Sequence, residues 1–145
     1  MLRWLGTYAR DQIPSHKTEK RPFALVVNTD VAAEPGEHWL ALYAPRYYFK
    51  IKMFDSFGLP PNIYSFDPSL FHFSSRCIQS FDSKVCGHYA LWFIYFRSRN
   101  YSFENTINNV DKNFTDASAA RKIYDLSRSK LSHVHCSGQC CKNKS

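Results

Sequence analysis

The chain has 145 residues, of which 44% are hydrophobic and 21% are charged, and this composition predicts one globular domain around one hydrophobic core. Its longest apolar run, Tyr89–Phe96, is too short to cross a bilayer, so we expect no membrane partner. The net charge of +7 permits binding of polyanions such as DNA. The basic residues are scattered, however, and an ordinary charged surface is the simpler interpretation.

Cysteine usage indicates a reducing compartment. The chain has five cysteines, an odd number that does not suggest a secreted disulfide scaffold, and no apolar signal segment follows Met1. We therefore expect an intracellular protein that is not secreted. Five residues of metal-ligand type lie near the C-terminus, at His133, His135, Cys136, Cys140 and Cys141. They lack the separated ligand pairs of a structural zinc site, so we predict no metal and no required cofactor.

The first half of the chain predicts strands. Apolar runs rich in β-branched and aromatic residues, bounded by turn residues, indicate four of them: Phe23–Val27, His38–Tyr43, Tyr47–Asp55 and Phe71–Ser80. Residues 1–21 are polar and typical of a loop after Leu5.

The second half predicts helices. Residues Cys86–Phe96 are apolar on nearly every face, as expected of a buried central helix, and Asp116 is placed to cap an amphipathic helix that runs to Lys130. The order predicts an α+β fold in which a mixed or antiparallel central sheet packs against the central helix. We expect residues 1–132 to form the domain and residues 133–145 a polar, disordered tail.

Cys86 is a candidate nucleophile because it lies where a polar turn enters the central helix. The positive end of the helix dipole and the unpaired N–H groups there stabilise a thiolate. Gly87 next to it leaves room for a substrate backbone, and an N–H at this point can bind an oxyanion. The alternative interpretation is a buried structural cysteine.

Two other residues suit a base and its partner. His38 begins the second strand and Asp55 ends the third, so the two meet at one sheet edge if these strands are neighbours. Asp55 then holds the imidazole tautomer and stabilises its cation. Read singly, His38 is better explained as an ordinary surface histidine, and a turn aspartate explains Asp55 equally well. Gln79 has an amide that can reach an oxyanion, and Trp39 is a candidate wall of a substrate groove or a core residue.

Taken together, these residues resemble the adenovirus-protease family and the related SUMO proteases. The resemblance depends on Glu37–Leu42 (EHWLAL), on Phe54–Gly58 (FDSFG), and on Gln79 followed by Val85–Leu91 (VCGHYAL). It covers roughly residues 5 to 100. The order His, Asp, Gln, Cys and the intervals between them fit the adenoviral branch.

The resemblance implies a papain-like, circularly rearranged cysteine protease in which a central helix carries the nucleophile. It implies Cys86 as nucleophile, His38 as general base, Asp55 as the residue that orients it and Gln79 as oxyanion donor. It further implies cleavage of viral or mobile-element precursor proteins at small, Gly-containing sites in the nucleus or virion. DNA and an activating peptide are the partners that it suggests.

Two alternatives to a precursor-cleaving endopeptidase stay open. One is a deconjugase of a ubiquitin-like modifier, for which the chain is small and basic. The other is a non-catalytic derivative of the fold that binds nucleic acid or a virion, which the charge favours and the complete set of site residues disfavours.

Overall fold

The computed structural model describes the backbone of residues 1–137 and the side chains of residues 1–129. Its sheet has five strands: β1 (Arg3–Tyr8), β2 (Phe23–Asn28), β3 (Trp39–Ala44), β4 (Ile51–Phe54) and β5 (Phe71–Phe73). Its α-helices are α1 (Cys86–Ser98), α2 (Phe103–Asn113) and α3 (Asp116–Ser137). Short 3₁₀ helices span Arg10–Gln12, Pro61–Tyr64 and Pro68–Leu70. The fold is therefore α+β, as predicted.

The sheet is mixed, and its strands lie in sequence order. The inner pairs β2–β3 and β3–β4 are antiparallel, whereas the outer pairs β1–β2 and β4–β5 are parallel. Each parallel pair needs a crossover, and residues 9–22 and 55–70 supply the two crossover segments. Neither segment contains an α-helix.

Hydrophobic residues cover both faces of the sheet, which explains why all six residues of β2 are buried. On one face, Val26 and Ala41 pack against α1 through Tyr89 and Phe93, and α2 and α3 close this cluster from outside. On the other face, β2 and β3 contribute Leu25 and Leu42. The cover there comes from the two crossover segments, through side chains that include Ile13, Tyr64, Phe66 and Leu70.

The strands differ from the prediction mostly at their ends. Arg3–Tyr8 is a strand rather than a loop, because it pairs through its backbone with β2 while its side chains stay largely exposed and show no apolar run. The third predicted strand begins only at Ile51, since the aromatic residues before it lie in an exposed turn. The fourth ends at Phe73, after which residues 74–85 contain no strand or helix.

The helices differ in number and length. Helix α1 begins at Cys86 as predicted. Helix α2 was not predicted, because four asparagines weaken its helix propensity, although Ser102 caps its first turn through the N–H of Asn105. Helix α3 continues to Ser137, five residues into the predicted tail, and residues 138–145 of that tail lie outside the described part. No helix in the described part is long and apolar enough to span a membrane.

Candidate active site

His38 and Asp55 form a buried pair at one end of the sheet. His38 immediately precedes β3 and Asp55 immediately follows β4, and these strands are antiparallel neighbours, so both side chains reach the same edge. The ring Nε2 of His38 lies 2.6 Å from Oδ1 of Asp55. The two residues are only 6% and 3% exposed, respectively. The predicted meeting of His38 and Asp55 is thus present in the structure.

Asp55 is held by further donors from its own turn. Its Oδ1 accepts a hydrogen bond from the Phe57 N–H at 2.9 Å, and its Oδ2 accepts from the Leu59 N–H at 3.2 Å. The Tyr64 hydroxyl donates to Oδ2 at 2.6 Å. Gly58 makes this turn possible, because its φ of +70° lies in the left-handed region. A carboxylate with donors on both oxygens has a fixed orientation, and so does the imidazole that it holds.

Aromatic rings enclose the imidazole. The Phe57 ring stacks on His38 with ring centroids 4.2 Å apart and an interplanar angle of 9°. Phe81 in turn contacts Phe57, at 4.8 Å between centroids. Tyr64 lies on another side of His38, at 5.7 Å. These rings restrict water around the His38–Asp55 pair, which strengthens its electrostatic interaction.

Cys86 is the first residue of α1 and faces His38. Val85 precedes it at the N-cap position without a side-chain hydrogen bond, so the first N–H groups of the helix stay available. Burial is the largest single influence on the Cys86 thiol and raises its pKa, whereas a hydrogen bond with His38 lowers it. Backbone N–H groups of Trp39 and Gly87 and the positive charge of His38 act in the same direction, and together they bring the pKa below its usual value of 9.0.

The imidazole shows the complementary shift. Burial lowers the pKa of His38, but the hydrogen bonds and negative charges of Asp55 and Cys86 raise it from 6.5 to about 9. A thiol with a lowered pKa next to an imidazole with a raised pKa favours the thiolate–imidazolium form of the pair. Because Nε2 is bonded to Asp55, the other ring nitrogen, Nδ1, is left to serve Cys86.

Gln79 is buried, and its side-chain amide already has hydrogen-bond partners. Its main-chain N–H donates to the Ser56 carbonyl at 3.1 Å, and the Ser56 hydroxyl donates to its Oε1. Its Nε2 donates to the carbonyl and to the hydroxyl of Ser83, at 3.0 and 2.9 Å. An amide nitrogen carries two hydrogens, so both already have acceptors. Binding an oxyanion therefore requires one of the Ser83 bonds to break.

Cys86 and His38 line a cavity of about 900 Å³, within the usual range for ligand sites. Trp39 forms part of its wall and also lines an adjoining cavity of about 320 Å³, together with Gly87, His88 and Leu91. Trp39 thus lines both cavities, and Gly87 lines the smaller one. Gly87 lies close to the Trp39 ring, since a Cβ added to Gly87 would be 3.5 Å from Cδ1 of Trp39.

Sequence reasoning missed Tyr64 and Ser56. Tyr64 follows Asp55 by nine positions across Pro60 and Pro61, and no periodic pattern connects residues within such an irregular segment. Ser56 is adjacent to Asp55, and an ordinary turn serine carries no signal that its hydroxyl faces Gln79. In the residues with described side chains, no three histidine, cysteine or acidic side chains form a metal-ligating group. The candidate ligands His133 to Cys141 lie outside those residues.

No protein-family model matches the chain, and no curated protein matches it.

Proposed function

We propose that this protein is a cysteine peptidase of papain-like, circularly rearranged type, with Cys86 as its nucleophile. The observation that carries the proposal is the buried row Asp55–His38–Cys86 at the edge of an open cavity, with the thiol pKa lowered and the imidazole pKa raised. Buried structural cysteines have no such partner, and a thiol in apolar surroundings has a raised pKa instead. The row therefore supports catalysis over the interpretation of Cys86 as a core residue.

Acylation follows from the ion pair. The Cys86 thiolate attacks the carbonyl carbon of the scissile bond, a C–S bond forms, and the carbonyl π electrons move to oxygen. The imidazolium of His38 then donates its Nδ1 proton to the leaving amine while the C–N bond breaks. Asp55, held by Tyr64 and the turn N–H groups, keeps the ring aimed at the sulfur throughout.

The oxyanion needs donors at the point where its charge develops. The Cys86 main-chain N–H at the start of α1 is one candidate, and the Gln79 amide is the other after it exchanges its Ser83 hydroxyl bond for the oxyanion. Deacylation reverses the roles: His38 takes a proton from water, the hydroxide attacks the thioester, and the Cys86 thiolate leaves.

The substrate class is inferred from the resemblance of the sequence motifs to those of the adenovirus-protease family. Trp39 and Gly87 narrow the path beside the nucleophile, which favours small residues such as glycine at the cleavage site. We accordingly propose precursor proteins of a virus or mobile element as substrates, with DNA or a peptide as activator.

The first experiment compares two thiols of the same chain. Cys86 is 7% exposed and paired with His38, whereas Cys77 is exposed at the surface. With limiting iodoacetamide at pH 6 to 7, followed by mass spectrometry of separate peptides, we expect Cys86 to react faster than Cys77. Accessibility alone predicts the opposite order, so the comparison separates an activated thiolate from a passive cysteine.

The matched variant is His38→Ala. It should bring the alkylation of Cys86 below that of Cys77, while Cys77 itself is unchanged. If Cys86 reacts more slowly than Cys77 in the wild-type chain, with and without DNA, the proposed ion pair does not exist and the peptidase proposal is wrong.

Turnover is tested with short peptides that contain a Gly–X bond, beside a ubiquitin-like modifier with a C-terminal electrophile. Cleavage of the peptides, abolished by Cys86→Ala, supports the peptidase. Reaction with the modifier alone would indicate the deconjugase instead.

A further inference from the structure

The turn between β3 and β4 presents three consecutive aromatic rings to solvent. Tyr47, Tyr48 and Phe49 are 87%, 69% and 74% exposed, respectively. Arg46 and Lys50, both exposed, lie on either side of them in the chain. We call residues 46–50 the aromatic turn. Burying three such rings inside a protein normally contributes strongly to stability, so their shared exposure indicates a surface that meets a partner.

The aromatic turn is held in shape by its own backbone. The Arg21 guanidinium donates to the main-chain carbonyls of Tyr48, Phe49 and Pro45, the last two at 3.2 and 3.4 Å. These hydrogen bonds, which we call the Arg21 clip, fix the backbone of the turn without involving any of the three rings. A preorganised aromatic surface loses less conformational entropy when it binds.

A row of positive charges continues from the turn across the sheet. Lys52 lies 5.5 Å from the Tyr48 ring, and its Nζ lies 2.7 Å from Nδ1 of His72 on β5. Arg97 on α1 lies 4.3 Å from the ring of Tyr43, the β3 residue that pairs with Lys52. We call Arg46, Lys50, Lys52 and Arg97 the basic row.

The basic row has no carboxylate partner within salt-bridge distance among residues whose side chains are described. Burial and the charge of Arg97 both lower the pKa of Lys52, and Glu104 only partly opposes them. The charges of Lys52 and Arg97 therefore repel each other in the free protein. An anion placed along the row would relieve this repulsion.

We propose that the aromatic turn and the basic row together bind single-stranded nucleic acid. Exposed rings beside a track of cations match the two features of an unpaired strand, since bases stack on rings while phosphates follow the charges. In a duplex the base faces are already stacked on each other and cannot reach the rings. This surface is distinct from the cavity of Cys86, so the proposal does not depend on peptidase activity.

Fluorescence anisotropy tests the proposal with labelled oligothymidylate and oligouridylate of about 12 nucleotides, a length within the site sizes of single-strand binders. A duplex of equal length is the comparison. We expect the single strands to bind at least about fivefold more tightly than the duplex, because only they offer free base faces. The single strand that binds more tightly is then used with the variants.

Two sets of variants separate stacking from charge. The triple variant Tyr47→Ala/Tyr48→Ala/Phe49→Ala should weaken single-strand binding by about tenfold or more and leave duplex binding unchanged. The double variant Arg46→Ala/Lys50→Ala should make the dependence of log K on log salt shallower by about 1.4, at roughly 0.7 per phosphate contact.

Control variants test whether the loss of any exposed ring, or of the tyrosine hydroxyls, is enough to weaken binding. Tyr124→Ala removes a 59% exposed ring on α3 and should bind like the wild type. The double variant Tyr47→Phe/Tyr48→Phe keeps the flat rings and should also bind like the wild type. Melting curves of all variants should coincide, because the Arg21 clip uses only main-chain carbonyls of the turn.

Several results would overturn the proposal. One is equal affinity of the wild type for single strand and duplex, and another is unchanged single-strand binding of the triple variant. Co-flotation with phosphatidylserine vesicles that the triple variant loses, without loss of oligonucleotide binding, would assign the rings to a lipid surface instead.

Discussion

At the residue scale, the candidate site is organised around Asp55, which accepts hydrogen bonds from the His38 ring, two main-chain N–H groups and the Tyr64 hydroxyl. Burial and the hydrogen bond to Asp55 both raise the pKa of Tyr64, so this hydroxyl keeps its proton and donates at any working pH. The Arg10 guanidinium donates to the Tyr64 carbonyl at 3.0 Å and fixes the backbone from which the ring projects. Tyr64 is thus a positioning residue that acts through Asp55.

The variant Tyr64→Phe removes one donor from Asp55 without changing the ring. We expect the free energy of unfolding to fall by about 1.5 to 3 kcal/mol, the usual range for a hydrogen bond to a charged group. The remaining carboxylate charge is less dispersed and attracts the imidazolium more strongly, so the pKa of His38 should rise above about 9.

Denaturant unfolding and the pH dependence of peptide cleavage measure these two effects. Tyr101→Phe, which removes a hydroxyl from a 38% exposed residue between α1 and α2, is the control. If stability falls but the loss of cleavage activity at high pH occurs at the same pH as in the wild type, Tyr64 acts on packing alone.

The two shifted pKa values predict a bell-shaped pH dependence of kcat/KM. Below the lowered pKa of Cys86 the sulfur is protonated and cannot attack, so activity rises with pH through that value. Above the His38 pKa of about 9 the imidazole has lost the proton that the leaving amine needs, so activity falls again. The limbs belong to the coupled pair rather than to single residues.

Initial rates of peptide cleavage between pH 5 and 11 give this profile. The alkylation rate of Cys86 is the internal comparison, because it needs only the thiolate and should stay high above pH 9. An alkylation rate that falls together with cleavage would contradict the assignment of the alkaline limb to His38.

The sequence predicts the site residues best where chemistry restricts the choice. A cysteine at a helix start, and a histidine and an aspartate at neighbouring strand ends, can be placed by counting along regular elements. The structure brings these three together. The occupied state of Gln79 could not be predicted, because its partner Ser83 lies in a loop whose path depends on tertiary contacts such as that of Ser80 N–H with Asp116.

At the element scale, two glycines of the site tolerate substitution differently. Gly87 lies in the first turn of α1 with ordinary helical backbone, and an added Cβ would meet only the Trp39 ring at van der Waals distance. Gly58 has a φ of +70°, and an added Cβ would lie 2.6 Å from the main-chain carbon of Arg76. The first position leaves space for a substrate, whereas the second is required by the turn of Asp55.

The variant Gly87→Ala should fold normally and gain up to about 1 kcal/mol of stability, since alanine favours a helix. Peptide cleavage should nevertheless fall at least about tenfold, because the methyl group takes the space between Trp39 and the nucleophile. Thermal melts, cleavage rates and Cys86 alkylation are the measurements, and alkylation should be unchanged.

Gly58→Ala is the contrasting variant. It should lose at least about 2 kcal/mol of stability, since it combines a left-handed backbone with a backbone clash.

Undiminished cleavage by Gly87→Ala would show that substrate does not pass between Gly87 and Trp39.

Elements with strong internal patterns were predictable, whereas strand β1 and helix α2 were not. The apolar runs of β2 and α1 identify both, because each is buried on more than one side. Strand β1 lies at the sheet edge and depends on pairing with β2 rather than on its own side chains. Helix α2 presents Phe103, Ile107 and Val110 at helical spacing, a pattern hidden among polar residues of weak propensity.

At the scale of the whole molecule, the two faces of the sheet are covered in different ways. Three helices cover one face, and two crossover segments without an α-helix cover the other. The sequence predicts the α+β class and the central helix, but crossover segments of irregular backbone have no period to recognise. Their path is determined by what they cover, which includes Leu25 and Leu42.

The crossover segment of residues 55–70 also contains Asp55 and Tyr64, whereas Cys86 belongs to helix α1 on the other face of the sheet. Irregular segments open locally at lower free energy than packed helices do. On gradual heating, the crossover of residues 55–70 should detach first and release His38 from its carboxylate. We therefore expect peptide cleavage to disappear at a lower temperature than the helical circular-dichroism signal, with recovery on cooling while the helices persist. Heat would then act on this molecule as a reversible off-switch before it acts as a denaturant.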